Sequence, residues 1–320
     1  MKKIITLLLC LAISLGMVSM VGCGDATFNG NYKEVTEEQQ AEFVQAAAEA
    51  EQTSISFANG ADLSLSVKGK VKNDDVDVNI DASVNLKAVA ITAEEKTDYQ
   101  AELSVKAKVD GIPTVDKIDA DVKAYYADET AFANGSVQIG KDADGKIDLK
   151  NFISLKGMDL SSLMSMVSGM AGGATSDLPV EQISELLGSN LLTNLVAYAD
   201  LMSENEESTA SIKLLFDLDA KKVKAEIKAE IEDTKIESTI YLVFDEKYNV
   251  IAIKVEAKAT MNGNDISANF SFKGYNGKVN LPSENDRKDY KDFMTDTELQ
   301  LKISAIMGKF NPDSTQLING

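Results

Sequence analysis

The chain contains no histidine, and this absence excludes much of the chemistry that enzymes use. Without an imidazole there is no Ser-His-Asp triad, no Cys-His pair, no histidine ligand for zinc and no HExxH motif. No glycine-rich phosphate loop precedes a helix either. We therefore expect a protein that is not an enzyme and that carries no cofactor and no metal ion.

Proline and glycine are too scarce for a collagen-like or low-complexity chain, with 4 and 20 copies in 320 residues. The apolar fraction of 44% is ordinary for a globular protein, which argues against wholesale disorder and against a coiled coil. At this length the chain has room for one large domain or for two small ones.

The N-terminus has the organisation of an export signal. Residues 1–3 are basic, an apolar run covers 4–20, and small residues precede Cys23, which is typical of a secretory signal rather than of a membrane span. The sequence MVGC at 20–23 resembles the lipobox of bacterial lipoproteins. The resemblance implies that the signal is cut before Cys23 and that its thiol receives a diacylglycerol. We therefore expect a lipid-anchored protein on the extracytoplasmic face of the cell membrane.

The cysteine count and the charge limit the partners of the mature chain. Cys10 leaves with the signal and Cys23 carries the lipid, so no disulfide is expected and the core must hold the fold unaided. Loss of Lys2 and Lys3 takes the formal charge from −19 to −21. Such an acidic body disfavours electrostatic binding to nucleic acid and to anionic headgroups. The expected partners are the membrane, through the lipid anchor, and a lipid or other hydrophobic ligand, whereas the oligomeric state is left open.

Capping signals predict helices near both ends of the mature chain. Residues 23–34 look like a lipidated tether, and a capping box at 36–39 opens a helix that should end near Gln52. After Pro282 we expect one short helix at about 285–294 and a second that runs from a capping box at 295–298 to about 310.

Between these helices the hydrophobic period is two, which predicts an antiparallel sheet with one apolar and one polar face. The first run of strands is expected at 63–71, 76–88, 101–109, 118–126, 131–139 and 147–155. The second run is expected at 212–218, 223–231, 236–244, 251–259 and 266–272, with a short strand at 279–281. The acidic stretch 141–148 is interpreted as a hairpin, because a calcium loop needs glycine at its sixth position and glutamate at its twelfth, whereas here glycine is fourth and no glutamate is twelfth.

An apolar insert at 157–207 separates the two runs of strands. Linkers are usually polar, so the insert should be buried against the sheet rather than join two independent units. The predicted fold is α+β, a single long curved antiparallel sheet of about 11 strands that forms an open half-barrel, with helices on its concave face. The expected domain covers 35–310 and is followed by a tail at 311–320. Two six-strand units joined by the insert remain the alternative.

A lipobox, a helix, about eleven such strands and helices inserted mid-sheet together resemble the bacterial lipoprotein-carrier superfamily. The resemblance implies an open half-barrel whose apolar concavity takes acyl chains or lipid-linked ligands. It transfers no individual functional residue, because no short ligand motif marks the superfamily. The alternative function is a surface lipoprotein that binds a protein or glycan partner and has no ligand cavity.

Two features of the sequence suggest where a hydrophobic ligand would bind. The methionine- and glycine-rich segment 158–173 is either a lid over a cavity or ordinary core. Its candidate ligand-binding residues are Leu160, Leu163, Met164, Met166, Val167 and Met170. Small residues on the inward face of the strands either leave room for a ligand or allow close packing of helices. They are Ala82, Ala88, Ala101, Ala107, Ala120, Ala225, Ala229, Ala257, Ala259 and Ala268.

Overall fold

The strands of this protein form one sheet that includes both predicted runs. The computed structural model describes residues 26–50, 60–72, 77–93, 96–112, 116–127, 130–140, 146–156, 190–203, 209–231, 234–275, 277–283, 285–286, 291–292 and 295–302. Within these residues the twelve strands follow the order β12-β6-β5-β4-β3-β2-β1-β11-β10-β9-β8-β7.

The strands are numbered in chain order. They are β1 (Gly60–Lys72), β2 (Asp77–Ala93), β3 (Lys96–Ile112), β4 (Asp116–Ala127), β5 (Thr130–Ile139), β6 (Lys146–Lys156), β7 (Ala210–Asp217), β8 (Lys222–Ile231), β9 (Thr234–Phe244), β10 (Val250–Met261), β11 (Asn264–Gly274) and β12 (Lys291–Asp292).

The pairing of β1 with both β2 and β11 joins the two runs of strands, so the sheet is continuous. All pairs are antiparallel except that of β12 with β6. The sheet is not closed, because β7 and β12 lie at opposite ends of the strand order. The predicted fold class is confirmed: one long, open antiparallel sheet with a few helices, consistent with an open half-barrel.

The register places apolar and charged residues on opposite faces. Val84, Val105 and Val122 lie side by side on β2, β3 and β4, and define what we call the apolar face. On the other side, which we call the polar face, Lys106 lies opposite Asp121, with the ammonium nitrogen 3.7 Å from the carboxylate oxygen. The period of two in the sequence therefore corresponds to the two faces of the sheet, as predicted.

Two helices cover the apolar face over the second run of strands. Helix α1 (Glu37–Ala48) begins with the predicted capping box, in which the Gln39 amide donates to the Thr36 hydroxyl and the Thr36 amide donates to the Gln39 side chain. It ends at Ala48, before the predicted end near Gln52. Helix α2 (Asn190–Ser203) belongs to the predicted insert.

The main core lies between these helices and β7–β11. Phe43 of α1 and Leu192 of α2 are buried, and they belong to the same cluster as Phe216, Leu242 and Ile253 from the sheet. The Phe43 ring packs edge-on against Phe216, with ring centroids 5.5 Å apart. Burial of these side chains supplies most of the hydrophobic stabilisation of this half of the sheet.

The hairpin between β10 and β11 has the turn that its sequence predicts. Asn262 and Gly263 form a two-residue loop with φ of 50° and 76°, and Met261 pairs with Asn264 across it. Positive φ at both loop positions matches a type I′ turn, for which Asn-Gly is the favoured sequence. The hairpin predicted at 141–148 lies partly outside the described residues, although β5 and β6 on either side of it pair antiparallel as expected.

The C-terminal region differs from its prediction in three places. Residues 279–281 are not a strand, and Lys291–Asp292 forms a short parallel strand near the end of the helix expected at 285–294, of which residues 285–286 are helical. The last described helix begins at residue 297, so its N-cap is Asp296, whose carboxylate accepts a hydrogen bond from the Leu299 amide at 3.1 Å. The predicted cap at Thr295 is wrong by one position, because an aspartate caps at least as well as a threonine.

Candidate functional site

The predicted ligand-binding residues of the insert lie outside the described residues. These are Leu160, Leu163, Met164, Met166, Val167 and Met170. The expected lipidation site, Cys23, also lies outside the described residues. Their roles stay predictions. The sites that follow are built from the residues that the structure describes.

Coverage of the apolar face is uneven. On β10, Ile253 has no exposed surface, and Val223 and Leu242 beside it are equally enclosed. On β2 and β3, Val84 and Val105 are only half-buried, although they occupy the same face. The apolar face is therefore closed where α1 and α2 lie over Val223, Leu242 and Ile253, and it is partly accessible at Val84 and Val105.

Alanines form a shallow row across this accessible part. Ala82 on β2 lies opposite Ala107 on β3, which in turn lies opposite Ala120 on β4. The rows on either side carry larger side chains, such as Val84 and Val109. The side chains of the apolar face consequently extend less far from the sheet in the alanine row than in the rows on either side. The sequence prediction that these small residues share the apolar face is confirmed for the described strands.

Residues 26–36, which we call the N-terminal arm, differ from the predicted tether. A 3₁₀ turn (Ala26–Phe28) buries Phe28 against Val243 and Ala252, which belong to the polar side of β9 and β10. The arm then reaches the edge of the sheet, where the backbone of Lys33 exchanges hydrogen bonds with that of Phe216 at 3.0 and 2.8 Å. The arm thus runs from the polar face, around the edge at β7, to α1 on the apolar face.

A buried carboxylate holds the arm in place. Asp217 is 8% exposed, and its two oxygens accept hydrogen bonds from the amides of Asn31 and Ala220. Lys222 adds a hydrogen bond from its ammonium group to the Asn29 carbonyl at 2.6 Å. A side chain at Gly30 would place its Cβ 2.9 Å from the Asp217 carboxylate, so the close approach requires glycine here.

The arm forms one wall of a pocket on the polar face, which we call the arm pocket. Its volume is about 410 Å³, and it is lined by Phe28, Asn29, Gly30, Tyr32, Lys224, Tyr241 and Lys254. Lys224, Tyr241 and Lys254 come from neighbouring strands and form one cross-strand row in the sheet register. The ammonium groups of the two lysines lie 5.9 and 5.3 Å from the centre of the Tyr241 ring.

The charges of the arm pocket are balanced. Lys224 pairs with Glu226 at 2.5 Å and Lys254 pairs with Glu256 at 2.6 Å, and both glutamates lie one row further along the same strands. The hydrogen bond that Lys224 donates to Glu226 raises the pKa of Lys224 and lowers the pKa of Glu226. The two ion pairs therefore add no net formal charge to the arm pocket.

The two tyrosines of the arm pocket stay protonated well above neutral pH. Burial, together with nearby Tyr241 and Asp217, raises the pKa of Tyr32 to about 12. Burial and the neighbouring Glu256 carboxylate raise the pKa of Tyr241. The Tyr32 hydroxyl donates to the Phe28 carbonyl at 2.8 Å. The rings of Tyr32 and Tyr241 pack edge-on, with their centroids 5.9 Å apart.

Sequence reasoning missed the arm pocket. Phe28 and Tyr32 lie in a segment rich in glycine and asparagine that the sequence predicts to be a tether, and the strand residues lie on the predicted polar face of the sheet. The one available signal was the presence of two aromatic residues within five positions of an otherwise polar segment. Their partners, Tyr241 and Ala252, are more than 200 positions away and become neighbours only once the sheet forms.

The described part of the chain contains neither a metal site nor a membrane-spanning helix. No group of three or more acidic or thiol side chains there could hold a metal ion. Among the helices in that part, none has the length and apolarity to cross a membrane. Comparison of the chain with protein-family models and with curated proteins finds no match.

Proposed function

We propose that this protein is a non-enzymatic lipoprotein, anchored by lipid to the extracytoplasmic face of the cell membrane, that binds a hydrophobic or lipid-like ligand. The observation that carries the proposal is the partly accessible part of the apolar face on β2, β3 and β4. Val84, Val105 and Val122 lie there in one row, and the alanine row beside them lowers the surface. Contiguous apolar surface on a protein commonly marks a site for a ligand, a partner or a membrane.

The position of the N-terminal arm is compatible with a lipid anchor at Cys23. Phe28 is fixed to the polar side of the sheet and follows Cys23 by five residues. Five extended residues span at most about 18 Å, so a lipid on Cys23 would hold the polar side of β9 and β10 close to the membrane. The apolar face would then point away from the attachment point and stay open to a ligand.

A pair of adjacent substitutions tests the ligand site. Val105 lies on the apolar face, and Ser104 lies on the polar face of the same strand. We expect a fluorescent fatty acid to bind the full chain, Val105→Asp to abolish this binding, and Ser104→Asp to preserve it. Circular dichroism would show that both variants remain folded. Val105→Gln, which adds no charge, provides a second test if the aspartate variant unfolds.

Native mass spectrometry of the purified protein adds an independent measurement, because a bound lipid would add its mass to that of the chain. Absence of any lipid, together with equal probe binding by the two aspartate variants, would contradict the proposed ligand site. The alternative of a surface lipoprotein that binds a protein or glycan partner would then be preferred.

The anchor is tested separately. Cells grown with an alkyne fatty acid should label the wild-type chain and not Cys23→Ala, because the proposed acylation requires the thiol. The variant should also leave the membrane fraction, since a diacyl modification provides firm anchoring where a single acyl chain binds only reversibly. Equal labelling of both chains would contradict the proposed anchor, but it would not bear on the proposed ligand site.

A further inference from the structure

We infer that the arm pocket is a second binding site, and that its ligand is a neutral saccharide. The pocket lies on the polar face, and is therefore separate from the hydrophobic site proposed for the apolar face. Three properties carry the inference: its size, its aromatic lining and its balanced charge.

The size and lining of the arm pocket suit a small ligand with both polar and apolar surface. A volume of about 410 Å³ lies within the range of small-molecule sites. Two of its seven lining residues, Tyr32 and Tyr241, are partly exposed aromatic residues. Tyrosine presents an apolar ring and a polar hydroxyl together, and a sugar ring likewise has apolar C–H faces and a hydroxylated rim.

The ion pairs decide between a neutral and an anionic ligand. Lys224 and Lys254 each pair with a glutamate, at 2.5 and 2.6 Å, so their positive charges are compensated and offer a phosphate or carboxylate little net attraction. Each ammonium group has three N–H donors and uses one on its glutamate. The remaining donors can bind hydroxyl or ether oxygens without any net charge on the ligand.

The rigidity of the pocket favours binding without a large ordering cost. Tyr241 stands between the two lysines, and Tyr32 packs against its edge. The arm is fixed by the buried Asp217 and by the backbone pairing of Lys33 with Phe216. Side chains that are held in place before binding lose little conformational freedom when a ligand arrives.

The test uses the full chain in a detergent without a sugar headgroup, so that the detergent does not compete. Saturation-transfer NMR with cellobiose and chitobiose should show transfer to the sugar protons at millimolar concentration. Tyr32→Ala and Lys254→Met should each weaken binding by roughly tenfold, since each removes one contact worth more than 1 kcal/mol. The matched control is Lys106→Met, which removes a lysine on the same face that pairs with Asp121 outside the pocket.

Two further experiments identify the source of the saccharide and the ligand charge that the pocket prefers. Vesicles with and without a glucosylated diacylglycerol distinguish a glycolipid headgroup from a soluble glycan, and binding to either supports the inference. Glucuronate serves as the anionic probe and should bind no better than glucose. Failure of all the neutral sugars, or equal binding by wild type and the Lys254→Met variant, would overturn the inference. A preference for glucuronate over glucose would also overturn the inference, because it would show that the pocket is cationic.

Discussion

The Asp217 carboxylate accepts a hydrogen bond from the Asn31 amide at 2.7 Å, across 186 positions of sequence. Its other oxygen accepts from the Ala220 amide in the turn after β7 at 3.1 Å. One buried side chain therefore fixes both the N-terminal arm and the turn that precedes Lys222. This connection helps to form the arm pocket, because Phe28 and Tyr32 belong to the arm.

The first prediction concerns this connection. Asp217→Ala leaves the amides of Asn31 and Ala220 without their charged acceptor, and we expect it to lower the free energy of unfolding by about 1–3 kcal/mol. Urea unfolding of the full chain measures this loss. The control is Asp219→Ala in the same turn, which changes an exposed carboxylate and should shift the value little. Equal losses in the two variants would show that the arm is held by other contacts.

The second prediction compares two isoleucines on the apolar face. Ile253 on β10 is fully enclosed, so Ile253→Ala should cost about 2–5 kcal/mol through the lost burial and the cavity that it leaves. Ile80 on β2 occupies the same face but is only half-buried. Ile80→Ala should cost about 1 kcal/mol, which is mainly the weaker strand propensity of alanine.

Thermal and urea unfolding of the two isoleucine variants give the comparison directly. Similar losses would mean that the apolar face over β2 is covered as completely as it is over β10. That result would also weaken the proposal of a ligand site there.

The third prediction concerns a glycine inside β5. Gly135 has φ of 131°, and a Cβ at this position would lie 2.0 Å from the Asp121 carbonyl oxygen of the neighbouring strand. Gly135→Ala should therefore cost more than about 2 kcal/mol, because both the backbone conformation and the contact are unfavourable. Gly274→Ala is the control, since a Cβ there meets nothing within 4 Å and should change stability little. If Gly135→Ala left the stability unchanged, this would contradict the close approach of β4 and β5 at this position.

The sequence predicts the strands well because the relevant signal is local. Alternation along β2 places Ile80 and Val84 on one face and Asp81 on the other without any knowledge of the neighbouring strands. The capping box at Thr36 and the Asn262-Gly263 turn are likewise determined within four residues. These features, together with the open single sheet, were confirmed.

The strand order and the arm could not be predicted in the same way, because they depend on contacts between distant parts of the chain. The pairing of β1 with β11 joins residues about 200 positions apart, and no local pattern distinguishes it from two separate units. The arm pocket combines Phe28 with Tyr241 for the same reason. In the C-terminal region, Lys291–Asp292 pairs with β6 near the end of a predicted helix, so tertiary contacts override local preference at these two residues.

The last prediction uses the titration of Tyr32 to follow the arm. Burial, with Tyr241 and Asp217 nearby, raises the pKa of Tyr32 to about 12, compared with an ordinary value of 10.0. The folded protein therefore holds this proton more tightly than the unfolded chain does. The resulting contribution to stability is fully present below pH 10 and is lost as the pH rises through about 12.

The Tyr32→Phe variant should lack this pH-dependent loss, because phenylalanine has no proton to release. Its unfolding free energy should fall less steeply between pH 10 and pH 12 than that of the wild type. The ultraviolet absorbance of tyrosinate should show one late-titrating group fewer. Ionised Tyr32 can no longer donate to the Phe28 carbonyl and is repelled by Asp217, so hydrogen exchange at Asn31 should quicken over the same pH range in the wild type alone, after correction for the intrinsic pH dependence of exchange. Identical profiles for the two chains would show that the hydroxyl of Tyr32 is not enclosed by the arm.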